Sequence, residues 1–274
     1  MPLKYNGDVM NKKTRFDFAC QITKQAGELA LGYYANLSSL TIQDKGVQDM
    51  ATEADVNTEN LIRAAIEENY PEDNFLGEES YEQFDSEEAL RLGNGTWVVD
   101  PIDGTQPFVC GIPSWCISLS YIVGKKVEIG VIYDPNTDEL FAAQAGQGAT
   151  LNGKPMHASP VQGVNNGLIG IGFSNRVSPQ ATLGPLARLI DADGMFHRCG
   201  SGALSLAYVA SGRLIGYFEP HMNAWDFSAG ILLVTEAGGC SNDCLAEDNA
   251  LVDGAMVLAA AAGVYEPLQA IVNG

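Results

Sequence analysis

The chain has 274 residues, 46% of them hydrophobic and 18% charged, a balance that builds a packed core and excludes a disordered protein. Its formal net charge is −19, from 15 basic against 34 acidic residues, which argues against direct nucleic-acid binding because phosphate contacts need clustered Lys and Arg. No apolar run approaches the roughly 20 residues that span a bilayer, and the opening MPLKYNGDVMNKKTRFDF lacks a signal-peptide core. Cys20, Cys110, Cys116, Cys199, Cys240 and Cys244 follow no CxxC spacing, so reduced thiols and a cytoplasmic location are expected.

In chain order, Asn11 to Tyr34 places Phe16, Ala19, Ile22, Ala26 and Leu29 at intervals of three or four, which predicts an amphipathic helix. Thr52 to Asn69 repeats the pattern with Val56, Leu61, Ile62, Ala65 and Ile66. Trp97, Val98 and Val99 read as a buried strand. From Cys116 to Ala142, apolar runs separated by GKK and DPNTDE predict an antiparallel meander. A turn at LNGKP (151–155), a strand in GLIGIGF, a helix over 180–191, a helix over 201–211, a strand over 214–219 and a helix over 225–237 follow. Helices alternating with strands, without repeat or linker, predict a layered α/β sandwich with a mixed sheet.

The chemistry concentrates in acids at the edges of these elements. In WVVDPIDGTQPF (97–108) a buried strand runs into Asp100 and Asp103, which are costly there unless something positive meets them, and a metal ion fits best. GEES supplies Glu78 and Glu79, QDMATEAD supplies Asp49, Thr52 and Asp55, and NAWDFSAG supplies Asp226. Magnesium takes hard oxygen ligands, so adjacent ions could share such carboxylates and a backbone carbonyl. Pro101 would stiffen the turn and leave the Ile102 carbonyl free to ligate, while Gly104 and Thr105 could offer N–H groups to a phosphate. Each piece alone also reads as a solvated Asx turn, an acidic surface, or, for Asp226, a helix cap. Their coincidence in one chain favours the metal. His157, His197 and His221 have no ligand spacing and read as structural, and no GxSxG, P-loop or GxGxxG is present.

The set DMATEAD (49–55), GEES (77–80), WVVDPIDGTQPF (97–108), CGSGALSLAYVASGRLIGYFE (199–219) and WDFSAGILLVTEAGG (225–239) resembles the inositol monophosphatase family. The resemblance implies a magnesium-dependent, lithium-sensitive phosphatase, usually homodimeric, with a five-layered α-β-α-β-α sandwich in one domain spanning 1–274. Its N-terminal half (1–147) would carry most metal ligands and its C-terminal half (148–274) Asp226 and the substrate wall. Carried over residue by residue, it makes Glu78, Asp100, the Ile102 carbonyl, Asp103 and Asp226 the ligands of two or three Mg²⁺, with Asp100 bridging. Glu78 and Thr105 would orient the attacking water, and Asp55 would hold the Thr105 hydroxyl. Asp103, Gly104, Thr105, Gly202, Glu219 and Asp226 would meet the substrate. The implied substrate is a small phosphate monoester, myo-inositol 1-phosphate first, with histidinol phosphate or a nucleotide 3′(2′),5′-bisphosphate as alternatives. A regulatory partner-binding protein on the same fold is the reading of another class. The chain departs from the family pattern at Pro107, where Asn is common, and at Ile215, where Asp is common.

Overall fold

The computed structural model describes residues 7–39, 42–46, 49–84, 93–247 and 249–274; residues 1–6, where the stretch read above for a signal peptide begins, lie outside the described residues. Helix α1 (Gly7–Tyr34) begins four residues before the expected start, and its buried stripe is Ala19, Ile22, Ala26 and Ala30. A 3₁₀ turn (Leu37–Ser39) leads to the antiparallel pair β1 (Ile42–Gly46) and β2 (Asp49–Thr52), which runs into α2 (Glu53–Asn69).

The first sheet comprises β3 (Asn74–Gly77), β4 (Thr96–Asp103), β5 (Cys116–Val123), β6 (Lys126–Asp134), β7 (Glu139–Gln144), β8 (Ala149–Leu151) and β9 (Lys154–Pro155), in that spatial order. Only β3 and β4 are parallel, so the meander read from 116–142 forms the middle of the sheet. A 3₁₀ turn (Glu78–Gln83) follows β3, and a short helix α3 (Thr105–Val109) follows β4.

The second sheet is built from β10 (Leu168–Ile171), β11 (Met195–His197), β12 (Gly216–Met222), β13 (Gly239–Ser241) and β14 (Ala255–Ala261), in the order β11-β10-β12-β14-β13. Strand β10 lies parallel to β11 and β12, and β14 antiparallel to β12 and β13. Between these strands the chain forms α4 (Gln180–Asp191), α5 (Gly202–Ala210), α6 (Ala224–Glu236), a short α7 (Ala250–Asp253) and a final α8 (Ala262–Asn273).

Stacking gives five layers. Helices α1 and α2 pack on each other and on the first sheet, α5 and α6 fill the space between the sheets, and α4 with α8 cover the outer face of the second sheet. The apolar core divides accordingly. Ile62, Ile66, Trp97, Phe108 and Trp115 lie under the first pair of helices; Phe141, Leu206, Phe227, Leu233 and Val257 lie between the sheets; Ile169, Leu189, Phe218, Leu258 and Leu268 lie under the last pair. The sandwich expected from the resemblance is therefore the architecture found. Ile215 belongs to the outermost cluster and is 3% exposed, so a carboxylate there would face hydrocarbon, and the departure from Asp suits this chain's own core. Among the described residues no helix is long and apolar enough to cross a membrane.

Candidate metal and phosphate site

Strand β4, TWVVDPID, is buried along all eight residues, yet it ends in two acids. In a regular strand, positions three apart face opposite sides. Here the pairing with β5 shifts: Asp100 sits opposite Ser118 and Asp103 opposite Cys116, so three steps on β4 match two on β5. This bulge at Pro101, which has no N–H for the ladder, turns both carboxylates to the same side. The Ile102 amide donates to Asp100 Oδ1 at 2.9 Å, closing the turn. Gly104 follows at φ +100°, and a Cβ there would lie 2.8 Å from the Ser114 carbonyl, so only glycine lets α3 start at Thr105.

Two helix starts converge on this bulge. Ser201 caps α5, and Asp103 accepts from the Ser201 hydroxyl, from Ala203 N at 2.7 Å and from Gly202 N at 3.4 Å. At α6 the cap is Asn223, whose N donates to Asp226 Oδ2 at 3.0 Å, so Asp226 is the third residue of the helix and not its cap. Ser118, the cross-strand partner of Asp100, donates to the Trp225 carbonyl at 3.0 Å and pins the start of α6 over β5. As a result, carboxylate oxygens of Asp100, Asp103 and Asp226 lie within 4.8 Å of one another.

Burial pushes all three acids above the ordinary carboxylate range. Asp100 is raised well above it, by desolvation and then by the charges of Glu78, Asp103 and Asp226. Asp226 is pushed up to about 8, by desolvation and then by Asp103. Asp103 is also raised by desolvation, against the four donors around it. Three such groups cannot all ionise side by side unless a cation joins them. Glu78, the first residue of the 3₁₀ turn after β3, is half-buried and faces Asp100.

Asp55 is fully buried at the start of α2, where Thr52 N donates to Oδ2 at 2.8 Å and Thr52 Oγ1 at 2.6 Å. Its other oxygen faces the Thr105 hydroxyl at 3.3 Å, which is also 3.2 Å from the Ile102 carbonyl. That carbonyl, expected to be free, therefore has one lone pair toward Thr105 and one remaining. Asp49 of the same stretch lies on β2, with its side chain outside the described residues.

Asp103 and Asp226 open into a cavity of about 130 Å³ lined also by Ser201, Gly202, Tyr217 and Glu219. Glu219 accepts from the Tyr217 hydroxyl and is pushed up to about 7, chiefly by burial. A Cβ on Gly202 would lie 2.5 Å from Met222 Cε and 3.7 Å from Glu219 Oε2, so the glycine stands against both side chains of the cavity wall. A wider outer cavity of about 300 Å³ joins Glu78, Gln106, Glu219 and Asp226 to Arg176 and Arg198. Pro107 stands in α3 with its ring toward Gly200, which lines the inner cavity. His221 also lines the outer cavity, and its Nε2 lies 2.8 Å from the Asp253 carbonyl.

The sequence reading missed Ser201, Arg176, Arg198 and Tyr217, and it missed Glu59, a buried acid one helical turn after Asp55 on the apolar stripe of α2. An acid on that stripe was itself the signal.

Comparison with known proteins agrees with the geometry. Nus factor SuhB of Escherichia coli K12 is 34% identical over 243 residues, covering 88% of this chain and 89% of that protein. Inositol monophosphatase 1 of Sus scrofa is 32% identical over 232 residues, covering 83% and 82%. The crystal structure of extragenic suppressor protein suhB from Bartonella henselae superposes with a TM-score of 0.83 at 29% identity, covering 97% of this chain and 98% of that one. The model of the inositol monophosphatase family matches residues 11–272, and the chain belongs to that family.

Proposed function

We propose that this protein hydrolyses a small phosphate monoester with magnesium, myo-inositol 1-phosphate being the first candidate. The observation that carries the reading is the convergence of Asp100 and Asp103 from a strand bulge with Asp226 from a helix start, within 4.8 Å. The donor set fits magnesium: hard carboxylate oxygens whose mutual repulsion a divalent cation removes. Glu78, Asp100, Asp103, Asp226 and the remaining lone pair of the Ile102 carbonyl would hold two or three ions, with Asp100 shared. Magnesium bound there would supply a water of lowered pKa and stabilise the leaving oxygen.

The chain's own groups do the positioning. The Thr105 hydroxyl donates a hydrogen bond to Asp55 Oδ1, which leaves an oxygen lone pair to accept from a water that Glu78 also orients. The amides of Gly104 and Thr105 hold the phosphate. Glu219, pushed up to about 7, can accept from or donate to the alcohol part near neutral pH. Gly202 leaves room for that part. Arg176 and Arg198 on the outer cavity make a nucleotide bisphosphate the first alternative substrate, ahead of histidinol phosphate. The experiment is magnesium-dependent phosphate release from these substrates. Release from one at about 100-fold preference, roughly 2.7 kcal/mol of differential transition-state binding, names the substrate, and release from none sinks the reading.

The name Nus factor SuhB on a 34% identical relative supports a second reading, a regulatory role through a partner. Partner capture that survives Asp226→Asn would separate it from catalysis. Six free thiols support a reducing, cytoplasmic compartment. A homodimer would use the edge strand β11: Met195 and Phe196 are 63% and 45% exposed, with Leu183 and Ile190 of α4 beside them. Phe196→Glu should then sediment as a monomer; an unchanged mass would place the contact elsewhere.

A further inference from the structure

We infer that Glu59, which touches neither the proposed ions nor the substrate, is a positioning residue: it fixes the turn that presents Glu78 and thereby sets the affinity for the catalytic cation. The inference rests on the magnesium reading above. Glu59 is 3% exposed, and its carboxylate grips the segment on both sides of Glu78. Oε2 accepts from Glu79 N at 2.8 Å, and Oε1 accepts from Ser80 Oγ at 2.6 Å and pairs with Arg63 at 3.0 Å. On the other side, a Cβ at Gly77 would lie 2.3 Å from Glu59 Oε2, so the glycine lets the end of β3 close onto the carboxylate. Arg63 completes the clamp: it donates to Ser80 Oγ and lies 4.0 Å from the centre of the Phe75 ring.

A buried ion pair is seldom the most stable way to fill a core position, so stability alone is a poor reason for Glu59 to carry a charge. Geometry supplies a better one. Glu78 begins a 3₁₀ turn at the half-exposed border of the site, where its backbone needs external bonds to stay aimed at Asp100. Helix α2 provides them. Asp55 ties Thr105 and Glu59 ties the Glu78 turn, four residues and about 6 Å apart along one helix face. One rigid element thus aligns both groups proposed to orient the attacking water. Outer groups that orient ligands in this way typically change metal affinity or activity by about 10- to 100-fold when altered.

The test is a set of variants read by Mg²⁺ titration calorimetry on the purified protein, with turnover and thermal midpoint alongside. Glu59→Gln replaces one acceptor oxygen by NH₂ and cannot serve all three donors, so it should weaken Mg²⁺ binding by about 10-fold and lower kcat. Gly77→Ala removes no charge but pushes the turn off the carboxylate, and should shift Mg²⁺ affinity in the same direction; it keeps the test open if the first variant fails to fold. Ile66→Val, a loss of core packing on α2, should lower the midpoint and leave Mg²⁺ affinity unchanged. Wild-type Mg²⁺ affinity and turnover in Glu59→Gln or Gly77→Ala would overturn the inference while leaving the phosphatase reading intact. A wild-type protein that binds no Mg²⁺ would overturn both.

Discussion

Helices α2 and α6 start with the same local device and meet different surroundings. Each has an acid as its third residue that returns a bond to the cap: Asp55 to Thr52 N at 2.8 Å, Asp226 to Asn223 N at 3.0 Å. At α2 the forward half is also made, with Thr52 Oγ1 accepting from Ala54 N at 3.1 Å, whereas Asn223 Oδ1 is buried without a partner among the described residues. Beyond the cap the contrast widens. Asp55 faces hydroxyl and amide donors, which pull against the burial that raises its pKa. Asp226 faces Asp103 and Asp100, and stands at about 8. One sequence pattern therefore yields a fixed hydrogen-bond acceptor in one place and a group that wants a cation in the other. The cap decides where the acid sits, and the neighbours brought by the tertiary fold decide what it does.

Substituting the two acids should break the pair apart most visibly. Asp226→Asn removes a proposed metal ligand and should lower turnover on the order of 10³-fold, about 4 kcal/mol, with Mg²⁺ affinity weakened as well. Asp103→Asn should behave alike and remain folded, since losing a charge from a crowded acidic site relieves repulsion. Asp55→Asn reaches the site through Thr105 and also disturbs the α2 cap, so a loss of about 10- to 100-fold in kcat and a lower thermal midpoint are expected with Mg²⁺ affinity unchanged. Calorimetry beside steady-state kinetics separates the cases. Equal damage to Mg²⁺ binding in Asp55→Asn and Asp226→Asn would mean that the two acids share one role.

How much of this contrast was legible in the sequence follows from the range of the interactions. Helices 180–191 and 52–69 were readable because periodicity and caps are local, and the bounds found agree to within a residue. Asp100, Asp103 and Asp226 were readable as a set from motif order, but the reason that 100 and 103 share a side was not: the bulge exists only in the pairing with β5. Strands β11, β13 and β14 escaped the reading, and the alanine-rich AMVLAAA of β14 carries little periodic signal because the second sheet buries it on both faces. Glu59 was visible as an acid on an apolar stripe, while its partners Glu79 and Ser80 lie about 20 residues away and are joined to it by tertiary structure alone.

The same contrast should appear in the pH dependence of stability without metal. Asp226 has a folded pKa near 8 against an ordinary 3.8, so the folded state holds its proton more tightly than the unfolded state. Its contribution is fully present below about pH 4 and is lost as the pH rises through 8. In EDTA, the thermal midpoint of the wild type relative to Asp226→Asn should therefore fall steadily from pH 5 to 8. Adding Mg²⁺ should reverse that fall, because the bound cation favours the ionised ligands. A wild-type advantage that grew with pH in EDTA would show that Asp226 is stabilised as a carboxylate by the protein alone.

The smallest effect tests the caps themselves. Thr52→Ala removes the acceptor for Ala54 N and the 2.6 Å donor to Asp55, and should cost about 1 to 2 kcal/mol in urea unfolding. Asn223→Ala removes a side chain whose buried oxygen has no partner among the described residues and whose amide reaches Asp226 only at 3.4 Å, so less than about 0.5 kcal/mol is expected. The backbone bond from residue 223 to Asp226 survives that substitution, and with it the placement of the acid. Equal costs at the two caps would mean that the forward bond at α6 is made in solution, and that the caps differ only in what lies beyond them.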